Sequence, residues 1–321
     1  MIGFDIGGTK CAVSIGVEEN GRLTILDERR IATDLSVPPI EMMERLCALA
    51  EEMTDTIDAI GISCGGPLNS RTGEILSPPN LPGWDKVPVV SYLKERYHCP
   101  VALQNDANAC AMAEWRYGAG ERCDNMLFLT FGTGLGAGLI LNGRLYEGSN
   151  GMAGEAGHIR LAPFGPVGYG KAGSFEGFCS GGGLAQLGQT FATEQLQIGK
   201  KTSFCQSPEE LSSITAKRLA ELAREGHGDA LEIFRICGEK LGEGLSILID
   251  LFNPDRIVIG SIFTRCQDLL RPSMEPVLKK NTLAQSLEIC QILPAVLGEQ
   301  IGNYAALSVA AQALADANEK V

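Results

Sequence analysis

IGFDIGGTKCAVSIG, Ile2 to Gly16, reads as an apolar strand, a tight glycine turn and a second apolar strand. The same order returns at Met126 to Gly143 as MLFLTFGTGLGAGLILNG. Glycine accepts backbone angles that other residues adopt only under strain, and without Cβ atoms successive amide N–H groups can crowd an anion. Gly7, Gly8, Gly132, Gly134 and Gly136 are therefore candidate phosphate neighbours. Thr9 and Thr133 offer hydroxyl donors, Lys10 a positive charge, and Asp5 a carboxylate for a hydrated magnesium ion. One such turn alone is equally a plain hairpin. Two in one chain, with Asp ahead of Gly-Gly-Thr in the first and Gly-Thr-Gly in the second, suggest a paired clamp on ATP. Neither is a Walker loop, because GxxxxGK[ST] is absent.

Outward from the first turn, LTILDERRIAT (Leu23–Thr33) supplies a third strand, and Pro38-Pro39 opens a helix with Ile40, Met43, Leu46, Cys47 and Ala50 at helical spacing. IDAIGISC (Ile57–Cys64) reads as a buried strand running into GGPLNSRTGEILSPPNLPGW (Gly65–Trp84), a loop too long for a simple connector and of the kind that carries function. A helix at Val89–Tyr97, the strand PVALQND (Pro100–Asp106) and a helix from Ala107 complete the first half, and Tyr117–Asn125 is the expected hinge. After the second turn come a glycine-rich stretch, Gly148 to Gly183, and a mainly helical region. In it SPEELSSITAKRLAELAREG (Ser207–Gly226) carries a serine capping signal and an apolar face. DRIVIG and EICQILPA are strands, and the last helix spans Asn303–Asn318. Alternating strands and helices predict an α/β fold, and the repeated hairpin predicts two similar domains facing a central cleft. The boundaries read as 1–118 and 119–302, with helix 303–318 packing back on the first domain.

The composition agrees: 321 residues exceed one comfortable core, and 45% hydrophobic with 21% charged residues is ordinary for a globular chain. A net charge of −12 without a Lys/Arg cluster argues against nucleic acid as a partner. No apolar run is long enough to cross a bilayer and no leader pattern precedes Ile2, so no membrane association and a cytoplasmic location are expected. The eleven cysteines are scattered singly without a CxxC, which suits reduced core residues.

Asp106 is the most informative carboxylate, at a strand end and just ahead of a helix, where α/β sheets present reacting groups. It can accept a proton from a hydroxyl attacking a γ-phosphate, or Asp106 and Asn105 can simply cap the helix. Glu155 and His158, three apart among glycines in GMAGEAGH, suit hydrogen bonds to a polyhydroxyl substrate. No other ligands stand at zinc spacing.

These motifs resemble the ROK family of sugar kinases and repressors, in the actin, hexokinase and Hsp70 superfamily, across nearly the whole chain. The matching segments are DIGGTK (Asp5–Lys10), GGP (Gly65–Pro67), NLPGW (Asn80–Trp84), NDANA (Asn105–Ala109), GTGLGAG (Gly132–Gly138) and EAGH (Glu155–His158). The resemblance implies two actin-like, ribonuclease H-like ATPase domains and transfer of the γ-phosphate of ATP to a hexose, at O6 and glucokinase-like. Asp106 would be the general base. Gly66, Asn80, Asn105, Asp106, Glu155, His158 and Glu176 would contact the sugar. Asp5, Gly7, Gly8, Thr9, Lys10, Gly132, Thr133, Gly134 and Gly260 would hold ATP and magnesium, with IVIGS (Ile257–Ser261) beside adenosine and a serine where a further glycine is usual. A homodimer or homotetramer is implied as well.

One departure stands out: the family's structural zinc is bound by a histidine and three cysteines, and this chain has Val167, Tyr169 and Ser174 at the cysteine positions. No zinc is expected, and packing of Tyr169 and Phe175 is the expected substitute for its bracing. Alternatives are an N-acetylmannosamine, other N-acetylhexosamine or fructose kinase, and a non-catalytic sugar sensor. A repressor is disfavoured, since the chain opens at the first strand and is acidic.

Overall fold

β1 (Ile2–Ile6) is apolar at every position but Asp5, as expected of a strand covered on both faces. The computed structural model describes residues 1–319 and places β1 at the centre of a five-stranded sheet. Its antiparallel partners are β2 (Lys10–Glu19) and then the edge strand β3 (Arg22–Ala32), whose charged Asp27, Glu28, Arg29 and Arg30 suit an exposed edge. On the other side, beyond α1 (Pro39–Met53), β4 (Ile60–Cys64) pairs with β1 in parallel. The long loop after β4 holds a small hairpin, β5 (Leu68–Asn69) with β6 (Glu74–Ile75). Helix α2 (Val89–Tyr97) leads to β7 (Val101–Asn105), parallel to β4, and α3 (Asp106–Tyr117) follows without a break.

Alternation along β1 sorts its neighbours. Ile2, Phe4 and Ile6 join the core with Met42, Met43, Leu46 and Cys47 of α1. Gly3 faces the opposite way, onto Ala306, and Gly61 of β4 does the same: a Cβ there would collide with Ala306 and Ala310. The alanine-rich C-terminal segment therefore lies flat on β1 and β4 because both surfaces are small.

The second sheet repeats the plan. β8 (Met126–Phe131) is flanked by β9 (Leu135–Leu141) and the short β10 (Arg144–Leu145) on one side. A loop carries the hairpin β11 (Val167–Gly168) and β12 (Lys171–Ala172), and then come α4 (Phe175–Phe178), α5 (Gly181–Gln197), α6 (Ala216–Arg224) and α7 (Gly228–Phe252). β13 (Arg256–Ile259) pairs in parallel with β8, and after α8 (Ile262–Asn281) and α9 (Ala284–Ile289), β14 (Gln291–Pro294) pairs in parallel with β13. α7 and α8 pack closely because Gly238 and Gly242 leave room for the Leu270 and Met274 carbonyls. The last helix, α10 (Ile301–Asn318), belongs to the first sheet.

The capping signal read at Ser207 does not start a helix. Pro208–Ser213 forms a 3₁₀ turn, and α6 begins only after Thr215, whose side chain accepts from the Arg218 N–H. Ser207 makes no such bond, so the better-placed threonine sets the start.

The chain forms two compact units: Met1–Cys123 with Gly138–Ala153 and the segment from Val296, and Asp124–Ala137 with Gly154–Ala295. Sequence reading placed crossings after residues 118 and 302, whereas the chain passes between units after 123, 137, 153 and 295. Two buried features account for the returning segments. Gly138 lies against Ala107 and Ala111 of α3, where a side chain would not fit. The fully buried carboxylate of Glu114 accepts from the Val296 and Leu297 N–H groups at 3.0 Å each, and from Ala119 at 2.8 Å.

Candidate active site

In the first unit the parallel strands end together. Ile6, Cys64 and Asn105 are register neighbours, so Gly7-Gly8-Thr9-Lys10, Gly65-Gly66 and Asp106 leave the same sheet edge. This is the edge at which α/β sheets present ligands. Asn105 caps α3, its Oδ1 accepting from Ala107 at 3.0 Å, and Asp106 Oδ1 accepts from the same N–H at 2.8 Å. The start of α3 thus fixes both side chains. Asp106 is open to solvent, yet burial raises its pKa above the ordinary carboxylate value against the pull of the Ala107 N–H and Asn105.

Gly65 and Gly66 thread between the predicted sugar ligands. A methyl group on Gly65 would stand 3.7 Å from Asn80 Nδ2 and 3.9 Å from Asp106 Oδ2, and one on Gly66 would be 3.4 Å from Asn105 Nδ2. The peptide bond between Gly66 and Pro67 is cis. Gly8 of the first turn abuts the Asn80 carbonyl, so the first glycine turn touches the loop that carries Asn80. Thr9 and Lys10 are exposed.

Asp5 has its pKa pushed up to about 6, first by burial and then by the negative charge of Asp106, with Lys10 and Arg30 opposing. Its carboxylate points at Gly302 in the first turn of α10, where a Cβ would stand 2.7 Å from Oδ2. Sequence reading missed Gly302, and the signal was faint: one glycine opening an alanine-rich helix.

In the second unit the glycine turn holds itself through the Gly132 N–H to the Gly134 carbonyl at 3.0 Å, and through the Gly136 N–H to Thr130 Oγ at 2.8 Å. Glu176, on α4, brings its carboxylate to this turn and accepts from the Leu135 N–H at 3.0 Å. Glu155 and His158 bracket the 3₁₀ turn Ala156–His158 with both side chains exposed, and Gly157 rests on the Leu135 carbonyl. Gly134, Glu176 and the Glu155–His158 turn are thereby neighbours. Thr133 is exposed at the tip.

Gly260 follows β13 and donates to the Leu129 carbonyl at 2.9 Å. Ser261 next to it adopts φ 55°, the left-handed region where glycine is at home, and a methyl on Gly132 would stand 3.5 Å from its Oγ. The serine that departs from the usual pattern thus sits in glycine's conformation beside the second turn.

The loop at 163–176 is not braced as expected. Phe175 is fully buried against Gly244, but Tyr169 is 76% exposed at a hairpin tip, and its ring meets His158 only edge-on at 6.5 Å. Polar contacts do the bracing. The Gln186 amide accepts from Val167 N–H at 2.8 Å and donates to Val167 C=O at 3.0 Å. Ser174 Oγ accepts from Gly177 at 3.0 Å, and Lys171 Nζ donates to the His158 carbonyl at 2.7 Å. A zinc site does not fit these residues: valine and tyrosine supply no thiolate, Ser174 is spent on capping, and among the described residues no three of His, Cys, Asp and Glu cluster to hold a metal.

Two sheets of one plan, each with a glycine turn between its first two strands, define a two-domain actin-like ATPase, the fold of the solved structures it resembles. The ROK family profile matches residues 1–313, and the chain belongs to the ROK family. Glucokinase of Streptomyces coelicolor is 29% identical over 320 residues, 96% of each chain. Glucokinase of Halalkalibacterium halodurans is 33% identical over 249 residues, 76% of this chain and 74% of that one. A ROK family glucokinase from Streptomyces griseus, solved with glucose and AMPPNP, is 31% identical with a TM-score of 0.74, covering 97% of this chain and 99% of its own.

Proposed function

We propose that this protein is an ATP-dependent hexose kinase with glucose as its substrate. The observation that carries the reading is Asp106, held by the start of α3 at the edge where Asn105, Asn80 and the Gly65-Gly66 loop meet. The glucokinase relatives and the bound glucose and AMPPNP of the Streptomyces griseus enzyme support the sugar and the donor.

In the reaction the primary hydroxyl of the hexose, O6, attacks the γ-phosphorus, its proton passes to Asp106, and ADP leaves. Phosphoryl transfer needs little covalent help, so positioning and charge carry most of the catalysis. Asn80, Asn105, Glu155, His158 and Glu176 hold the sugar hydroxyls. The amides of Gly7, Gly8, Gly132 and Gly134, the hydroxyls of Thr9 and Thr133, and Lys10 receive the phosphates, and Gly260 lies beside the nucleoside. Asp5 fits a magnesium ion entering with ATP and keeping most of its waters, because burial and the neighbouring Asp106 charge disfavour its bare carboxylate and a cation would offset both. Bound there, the ion would neutralise phosphate charge. A homodimer or homotetramer follows from the family resemblance alone, and a cytoplasmic location is the expectation read from the sequence. Among the described residues no helix is long and apolar enough to cross a membrane.

The test is ADP release against a panel of hexoses and N-acetylhexosamines, with Asp106→Asn beside the wild type. Turnover on glucose is expected, falling by about 10²–10⁴ in the variant. Wild type that binds ATP but turns over no sugar would overturn the kinase reading in favour of a sensor. Preference for N-acetylmannosamine would overturn the substrate alone.

A further inference from the structure

Glu147 belongs to none of the motifs above, yet its carboxylate joins three segments of the first unit. Oε1 accepts from Ser70 Oγ at 2.6 Å and from Gln104 Nε2 at 3.1 Å. Ser70 lies in the hairpin of β5 and β6, which continues directly from Gly65-Gly66-Pro67. The hairpin tip is itself stiff, because Asn69 Oδ1 accepts from the Arg71 and Thr72 N–H groups at 3.0 and 3.1 Å. Arg71 then reaches the same partner segment, donating to the Gly148 and Ser149 carbonyls at 3.0 and 2.9 Å.

Gln104 is buried on β7, immediately before Asn105 and Asp106. Its amide orientation is set by the backbone: Oε1 accepts from the Asn105 N–H at 2.9 Å, so Nε2 must face Glu147. Oε1 also accepts from Asn108 Nδ2 at 3.1 Å, one turn into α3. The contacts run unbroken from the hairpin after the Gly-Pro loop, through Glu147 and Gln104, to the backbone of Asn105.

We propose that Glu147 is a positioning residue for the sugar. It clamps the Gly65–Ile75 loop to the strand end that carries Asn105 and Asp106, and so sets the spacing between the two walls that receive the hydroxyls. An anionic acceptor suits this role, since hydrogen bonds to a charged group are the stronger kind and one oxygen serves both donors. The inference rests on the hexose kinase reading.

Steady-state kinetics of Glu147→Ala, Glu147→Gln and Ser70→Ala, varying sugar and ATP separately, test it. Loss of the clamp in Glu147→Ala should raise the sugar KM by about tenfold or more and leave the ATP KM within about twofold. Glu147→Gln keeps an oxygen for Ser70 and should recover most of the sugar KM. Ser70→Ala removes one donor without touching the carboxylate and should give a smaller rise of the same kind, which covers the case in which Glu147→Ala does not fold. Three results would overturn the proposal: a sugar KM that stays at the wild-type value in Glu147→Ala, or in Ser70→Ala where that variant does not fold; sugar and ATP KM rising together; or Glu147→Gln no better than Glu147→Ala. Wild type without turnover on any sugar would take the kinase reading down with it, whereas wild-type turnover with an indifferent clamp takes down this inference alone.

Discussion

The two glycine turns occupy equivalent places in two sheets of one topology, yet they are built in opposite ways. The first carries its charge in its own sequence: Asp5 precedes it, Lys10 follows it, and the negative field of Asp106 reaches Asp5. The second, Gly132 to Gly136, has no titratable residue and borrows Glu176 from a helix forty residues on, which accepts from the Leu135 N–H. Topology decides where the backbone presents N–H groups, and the choice of residues then decides which turn carries charge of its own and which takes its carboxylate from elsewhere in the chain.

The largest effect expected from breaking this asymmetry is at Asp5. A carboxyl whose folded pKa is raised from 3.8 to about 6 binds a proton in the native state that the unfolded chain has already released. Stability therefore falls as pH rises through that window, with no penalty below about pH 4 and the full penalty above about pH 6. Asp5→Asn should then be more stable than wild type by on the order of 2–3 kcal/mol at pH 7 without magnesium, with the gain vanishing near pH 4. Denaturant melts at the two pH values measure it, and a variant less stable at neutral pH would show that the charge is compensated in the fold.

In the second turn, Glu176→Ala leaves the Leu135 N–H without its acceptor, which should cost about 1–3 kcal/mol and speed hydrogen exchange at Leu135. Glu176→Gln should keep both, since an amide oxygen accepts as well. If the two variants behave alike, the charge of Glu176 rather than its hydrogen bond is what the turn needs. The smallest effect is at Ser261, where φ 55° strains a residue with a Cβ. Ser261→Gly should gain about 1 kcal/mol, the relief of strain less the entropy glycine loses on folding. A loss in thermal melts would mean that the hydroxyl, which accepts from Arg265 at 3.3 Å, outweighs the strain.

Much of the first unit was legible because its signals are local. The apolar run of β1, the helix from Pro39 and the strand ending at Asn105 all follow from periodicity and from proline and glycine placement. The placement of Asp106 was legible for the same reason, since a carboxylate between a strand and a helix is visible in the local pattern. Thr215 over Ser207 was a nearer contest: two hydroxyl residues eight apart both fit a cap, and only the 3₁₀ turn between them separates the cases. Tyr169 shows the opposite limit. An aromatic residue suggests packing, but at a hairpin tip with positive φ it stands outside, and Gln186, distant in sequence, does the holding.

By itself the sequence determined that this is an α/β chain with two glycine turns between strands, a carboxylate at a strand end, and a 163–176 loop without cysteines. These properties are written within a few residues of one another, over the range where backbone sterics and side-chain spacing act. Tertiary structure alone decided that Gly302 makes room for Asp5, that Glu114 anchors the returning C-terminal segment, and that Glu147 ties Ser70 to Gln104. Each joins residues tens to hundreds of positions apart, and a buried polar group takes its partner from whatever the packed chain brings within reach.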